Sequence, residues 1–212
     1  EVTNGGAIAA PSTPMVVGAV MSSGSSGIKG WIQDVRFYKG VAKYTKDFIP
    51  ATSSPDVLPE TPSGTAYSSQ LKKLTGQGCV SFDGLGNYLR GNGNGDFVFA
   101  TGDFCIEGFF YFSEESGYRH LIDFRPDGAD GPYPMLRVNG RDLKFGVNYP
   151  STGDLISATN AITVGTWYHI AATRASNTVR LFVNGRLVGS GTESSNIGVG
   201  AYRPMILSLI HI

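Results

Sequence analysis

Residues 166–185 read TWYHIAATRASNTVRLFVNG. Trp167–Ala172 and Val179–Val183 are short runs rich in aromatic and β-branched residues. Ala175-Ser176-Asn177 between them is turn-forming, so the stretch predicts a β-hairpin. Asn184-Gly185 then leads into Leu187-Val188. Asn-Gly favours the type I′ turn, whose twist matches that of paired strands, so a third strand is expected after it. The same pattern recurs upstream, where Asn139-Gly140 sits between Met135–Val138 and Asp142–Phe145, part of a strand-like run reaching Val147. Trp31–Tyr38, Cys79–Phe82, Phe104–Phe112 and His120–Phe124 are further strand-like runs. In the first of these, Trp31, Val35 and Phe37 are expected on one face, with Ile32 and Tyr38 on the other. No helical stripe exceeds two turns; Tyr67–Leu74 is the best candidate and reads equally well as a loop. Many short antiparallel strands joined by tight turns predict an all-β, two-sheet sandwich. Its expected core is Phe82, Phe104, Ile106, Phe110, Leu121, Leu136, Phe145, Trp167, Ile170, Leu181 and Val183.

Composition agrees. Of 212 residues, 29 are glycine, 11% are aromatic and only 16% are charged, which suits strands and turns better than surface helices. The 17 Lys+Arg balance 17 Asp+Glu, which argues against a strongly basic nucleic-acid binder. No apolar run approaches the ~20 residues of a membrane span, so no membrane insertion is expected. Cys79 and Cys105 lack metal-ligand spacing and read as two small buried thiols, with a single disulfide between them as the alternative if their Cα atoms lie within ~7 Å.

Two features bear on organisation. Pro50–Gly64 reads PATSSPDVLPETPSG, and its prolines deny the ladder its donors, so it is expected to be an extended linker. Pro14-Met15-Val16-Val17 and Pro204-Met205-Ile206-Leu207 are near-copies at opposite ends of the chain.

From Val80 onward the chain resembles the laminin-G-like branch of the concanavalin A-like lectin/glucanase superfamily. Val80-Ser81-Phe82-Asp83-Gly84, Asn87-Tyr88-Leu89, Gly102–Glu107, Thr166–Ala171 and Val179–Gly185 carry the resemblance, in order and spacing. It implies a concanavalin A-like jelly roll and does not fix an activity. The closing strand usual in this family occurs near the start instead, as Gly30–Gly40 (GWIQDVRFYKG), with Gln33 where an acidic residue is more usual. The reading is therefore residues 1–49 as the C-terminal part of a preceding repeat, 50–66 as a linker, and 67–212 as a laminin-G-like domain lacking its closing strand. Trp31–Tyr38 is expected to fill that vacancy by pairing with Cys79–Phe82, and Met15–Val20 and Met205–Ile210 are expected to compete for one slot. Val41–Pro50 (VAKYTKDFIP) resembles tandem laminin-G-like proteins of phages, especially marine phages. The final Leu207–Ile212 resembles translated sequencing adapter, so the natural chain is expected to diverge after about Ile206.

Chemistry is sparse. A retaining glycosidase on this fold uses a Glu-x-Asp-x-x-Glu strand to bring two carboxylates together. No glutamate among Glu1, Glu60, Glu107, Glu114, Glu115 and Glu193 has Asp two residues later, so no enzyme activity is expected. Glu107 is expected to be structural, His169 a satisfied core or edge histidine, and His120 a surface strand residue. Asp127 and Asp130, on the glycine-rich loop 125–133, are weak Ca²⁺ candidates, but Asp and Gly also simply make turns; no other cofactor is expected. Sugar stacking needs exposed rings with polar neighbours, and Tyr118, Tyr133 and Tyr149 beside Asn148 supply candidates, as does Tyr202. The expected function is a non-catalytic binding or structural module of a virion. Its expected partner is a cell-surface glycan or receptor, or another virion protein. A secreted bacterial carbohydrate-binding module is the alternative.

Overall fold

The computed structural model describes residues 14–17, 29–48, 50, 79–83, 89–92, 98–115, 117–125, 131–147, 153–197 and 205–208. Its strands are β1 (Pro14–Val17), β2 (Lys29–Lys39), β3 (Val80–Asp83), β4 (Leu89–Asn92), β5 (Phe104–Phe112), β6 (Tyr118–Asp123), β7 (Met135–Asn139), β8 (Asp142–Gly146), β9 (Ile156–Ala158), β10 (Trp167–Ala175), β11 (Thr178–Val183), β12 (Arg186–Thr192) and β13 (Met205–Ser208). They form two antiparallel sheets, one ordered β1-β4-β13-β6-β7-β8-β9 and the other β12-β11-β10-β5-β2-β3. Among the described residues there is no helix, and so none long and apolar enough to cross a membrane.

Three tight hairpins join neighbouring strands. Ser176 and Asn177 (φ 46° and 68°) join β10 to β11, and Asn184 and Gly185 (φ 50° and 79°) join β11 to β12. Two successive positive φ angles are the type I′ signature. The β7–β8 turn differs from expectation. Asn139 still pairs with Asp142, so the loop residues are Gly140 and Arg141, with the positive φ (57°) at Gly140. That is the type II′ arrangement, which wants Gly first.

The core lies between the sheets and includes Phe104, Ile106, Phe110, Leu121, Leu136, Phe145, Ile170 and Leu181, all essentially inaccessible. Trp167 is the exception to the expected core, at 39% exposed. Side chains alternate along a strand, so residues three apart cannot share a face. Tyr168, Ile170 and Ala172 point inward, and Trp167 must point out.

β2 sits inside the six-stranded sheet, between β5 and β3. Trp31 pairs with Ser81 and Ile32 with Val80, the pairing expected for Trp31–Tyr38. Its register against β5 shifts between Gln33 and Arg36, where Asp34 takes φ 52° and its carboxylate receives Arg36 Nε (2.7 Å) and Nη2 (2.8 Å). This bulge inverts the alternation. Ile32, Val35 and Phe37 all reach the core, whereas Trp31, expected to accompany Val35 and Phe37, lies on the outer face. Gly108 of β5 makes room at the bulge, since a Cβ there would come within 3.0 Å of Val35 Cγ2 and 3.1 Å of the Phe110 ring. Gly108→Val is therefore expected to cost about 2 kcal/mol through overpacking. A thermal melt checks this, with a fall of roughly 4–8 °C expected.

Residues 40–48 return from β2 as a strap across part of the outer face of the same sheet. Backbone bonds Gly40 N to Asp103 O and Phe48 N to Gly185 O fix its ends, both at 2.7 Å. Between them, Thr173 Oγ1 donates to Tyr44 O (2.7 Å), and the stacked Tyr44 and Phe48 rings pack on Phe182.

β1 and β13, the near-copied segments, do not exclude one another as expected. β1 lies at the sheet edge against β4, and β13 lies on the other side of β4, between it and β6. Of the two thiols, Cys105 is buried but Cys79, just before β3, is exposed, and both are free. Nearly all of the expected linker, and Tyr67–Leu74, fall outside the described residues.

Candidate functional site

On the outward face of the seven-stranded sheet, strands β6–β9 carry a cluster of polar side chains. In β7, Leu136 and Val138 enter the core, so Arg137 points away from it. In β6 the register shifts between His120 and Ile122, which leaves both Leu121 and Ile122 in the core and puts His120 opposite Arg137. Lys144 of β8 lies next to Arg137 across the ladder, and Ser157 of β9 next to Lys144.

Arg137 is the hub of this face. Its Nε (3.0 Å) and Nη2 (2.6 Å) both donate to Asp154 Oδ1, and its guanidinium lies 4.7 Å from the centre of the Tyr118 ring. Lys144 Nζ stands 3.4 Å from Asp154 Oδ2 and donates to Ser157 Oγ (3.1 Å). Arg137 is buried, while Tyr118 is 43% exposed and Ser157 is also open to solvent. The result is an exposed ring held on a buried cation, with a hydroxyl, an ammonium and a carboxylate alongside. Nearby, Asp123 accepts from the Arg125 guanidinium at Nε and Nη2, and Arg125 Nη2 lies 3.5 Å from His120 Nε2. His120 is thus buried within this polar cluster rather than being a surface residue, because it faces the guanidinium side of the sheet.

A second polar cluster lies on the outer face of the other sheet, under the strap. Glu107 of β5 (1% exposed) accepts from Lys43 Nζ at 2.7 Å, and its other oxygen is 3.2 Å from His169 Nε2. Lys43 also donates to Tyr38 OH at 3.0 Å. Burial alone would raise the Glu107 pKa. The hydrogen bond and charge of His169, then those of Lys43, outweigh it and bring the carboxyl down to about 2. His169 is only partly satisfied, since its Nδ1 is buried with no partner among the described residues. A carboxylate–imidazole pair of this kind would suit acid–base chemistry in a cleft, but this one is sealed by Tyr44 and Phe48. It anchors the strap, which supports the structural reading of Glu107.

Of the expected site residues, Tyr118 stands on the polar face. Tyr133 does not: it is 8% exposed and belongs to the core. Its N–H bonds back to Gly131 O (2.8 Å), a tight turn that directs the ring inward rather than to the rim. Asp127, Asp130, Asn148, Tyr149 and Tyr202 lie outside the described residues. Among those described, no three His, Cys, Asp or Glu side chains gather to hold a metal. Arg137, Lys144 and Asp154 escape the sequence reading, although the alternation in Met135–Asn139 already places Arg137 opposite the core face.

A family model described as the concanavalin A-like lectin/glucanases superfamily matches residues 83–208. The chain belongs to this superfamily. β2, which lies between β5 and β3 in the six-stranded sheet, falls outside the matched residues. Among solved structures, this superfamily member is similar to the alginate lyase AlgAT5 from polysaccharide lyase family 7. Identity is 15% and the TM-score 0.32, over 49% of this chain and 45% of that one. An alginate lyase from Corynebacterium sp. is similar at 15% identity and TM-score 0.31, over 49% and 43%. The matched part spans less than half of either structure. No curated protein matches the chain.

Proposed function

We propose that this domain is a non-catalytic adhesion module of a virion, from a phage tail or another phage structural protein, and that it binds a cell-surface glycan. The observation that carries the reading is the exposed Tyr118 ring seated on Arg137, beside Lys144, Asp154 and Ser157. An aromatic face takes the apolar side of a sugar, and adjacent polar groups take its hydroxyls. The carboxylates of this face support a binding rather than a catalytic role. Asp154 is engaged by Arg137 and Lys144, and Asp123 by Arg125, so both carboxylates are committed to ion pairs within the protein. The virion setting rests on the resemblance of Val41–Pro50 to tandem phage repeats and on the copied strand at the two chain ends.

A glycan array tests the binding, with Tyr118→Ala expected to weaken the recognised glycans by about ten-fold, the loss of one well-placed aromatic contact. Arg137 is a positioning residue for that ring. Arg137→Lys keeps the charge but cannot hold Asp154 with a rigid fork, so a smaller loss is expected. Turnover of any bound polysaccharide, seen as new reducing ends or unsaturated products, would overturn the non-catalytic reading.

A further inference from the structure

The bulge in β2 and the true register of β10 have a joint consequence on the outer face of the six-stranded sheet. Trp31 pairs with Tyr111, and Tyr111 pairs with Trp167, so three large aromatics stand side by side across three adjacent strands. Ring centres are 4.8 Å apart for Trp31–Tyr111 and 5.7 Å for Tyr111–Trp167. Trp167 is exposed and the other two are half-buried. Two residues along, Gln33, Phe109 and His169 form the next row, and Ser81 of β3 flanks Trp31. The strap covers the other half of this face, over Glu107, Ala171 and Phe182, and leaves the aromatic row open.

We propose that the Trp31–Tyr111–Trp167 row is a binding platform for a single chain of a neutral polysaccharide, separate from the Tyr118 face. The size of the patch favours a sugar chain over a protein partner. Only a minor part of each of three aromatic side chains, about 150–250 Å² apiece, is open to solvent, whereas a stable protein interface needs roughly 800 Å² from each side. Charge selects the ligand. Ser81, Trp31, Gln33, Tyr111, Phe109 and Trp167 are uncharged, and the ionisable neighbours of the row already have partners: His169 is bonded to Glu107 and Lys29 lies 3.5 Å from Glu114. Stacking on the apolar faces of successive sugar rings, with hydroxyls meeting Gln33 and Ser81, needs no ionic partner. Spacing sets the length: strands about 4.8 Å apart put the outer rings about 10 Å apart, the reach of a short oligosaccharide. The rings are tilted, at 71° and 57° to their neighbours. They therefore suit a twisted single chain rather than the flat face of a crystal. The inference extends glycan binding to a second surface and does not depend on Tyr118.

Native gels cast with soluble β-glucan, xyloglucan or galactomannan, and with a polyuronate for comparison, test the proposal. Retardation is expected in at least one neutral gel and to be weaker in the polyuronate. Trp31→Ala and Trp167→Ala are each expected to weaken it by about ten-fold. Thermal melts of both variants show whether they remain folded, and Leu187→Ser, at an exposed apolar residue of β12, is expected to leave retardation unchanged. No retardation in any neutral gel, or retardation unaffected by either folded tryptophan variant, overturns the proposal. So does retardation lost in Tyr118→Ala but kept in both tryptophan variants, which would place the ligand on the other face. Concentration-dependent dimerisation that Trp167→Ala abolishes also overturns it, because the row would then be a self-contact.

Discussion

A chain that begins after Pro50 is expected not to fold. β2 supplies Ile32, Val35 and Phe37 to the core, and the strap that follows it supplies Tyr44 and Phe48 to the outer face. Each large apolar side chain withdrawn from water contributes roughly 1.5–3 kcal/mol. Ile32 and Tyr44 are buried and Val35, Phe37 and Phe48 partly buried, so together they supply a large share of the net stability of an ordinary domain, about 5–15 kcal/mol. The truncation also strips one edge of β5 of its backbone partners and leaves Glu107 buried without Lys43. Circular dichroism and a thermal melt of residues 51–212 check this, with no cooperative transition expected. A synthetic peptide of residues 29–50 is expected to restore the transition when added in excess, since binding only the folded form stabilises it by mass action. A truncated chain that melts cooperatively near the full-length temperature would show β2 to be dispensable. Rescue by the peptide would also support the repeat proposal, in which the strand before the linker completes the sandwich after it.

The strands and hairpins are legible in the sequence because they depend on local chemistry. Alternation in Met135–Val138 and turn residues at Ser176-Asn177 and Asn184-Gly185 act over a few positions. The short strands β4 and β9 are not legible, because three or four residues such as Ile156–Ala158 carry too little periodicity to separate from loop. Facing is the weaker inference. A single bulge at Asp34 reverses the side on which Trp31 lies, and that bulge is set by Gly108 and Arg36 around it rather than by any turn motif. The size of Trp167 argues for the core, but the parity of Ile170 overrides it. The polar clusters are least legible. Glu107, His169 and Lys43 come from three separate segments, and Asp154 reaches Arg137 from beyond β8. Such partners are named by topology, which pairs residues far apart in the chain.

Replacing Glu107 by Gln is expected to cost roughly 3–5 kcal/mol at neutral pH, because it leaves the buried Lys43 ammonium without its counter-charge. The effect is expected to depend on pH in one direction. In the folded protein the Glu107 carboxyl titrates at about 2, below its ordinary value of 4.5, because His169 and Lys43 outweigh the cost of burial. A carboxyl depressed on folding contributes stability that is fully present above its unfolded pKa and is lost as pH falls through the folded value. A shift of this size corresponds to a contribution on the order of 3 kcal/mol. The gap between wild type and Glu107→Gln should therefore be largest above about pH 5, narrow between about pH 4.5 and pH 2, and be smallest at the acid end. Other groups titrate over the same range, but they do so in both proteins and cancel in the difference. Urea melts at about pH 7, 4 and 3 measure it. A gap of equal size at all three would mean that Glu107 acts by shape and not by charge. Adding Lys43→Met tests the pairing further. With the ammonium gone, the introduced glutamine amide no longer faces an unpaired charge, so the double variant is expected to be more stable than Glu107→Gln alone. The strap would then be held by Tyr44 and Phe48 against Phe182. If the second substitution instead adds its full cost to the first, Lys43 and Glu107 are not coupled and the ion pair does not anchor the strap.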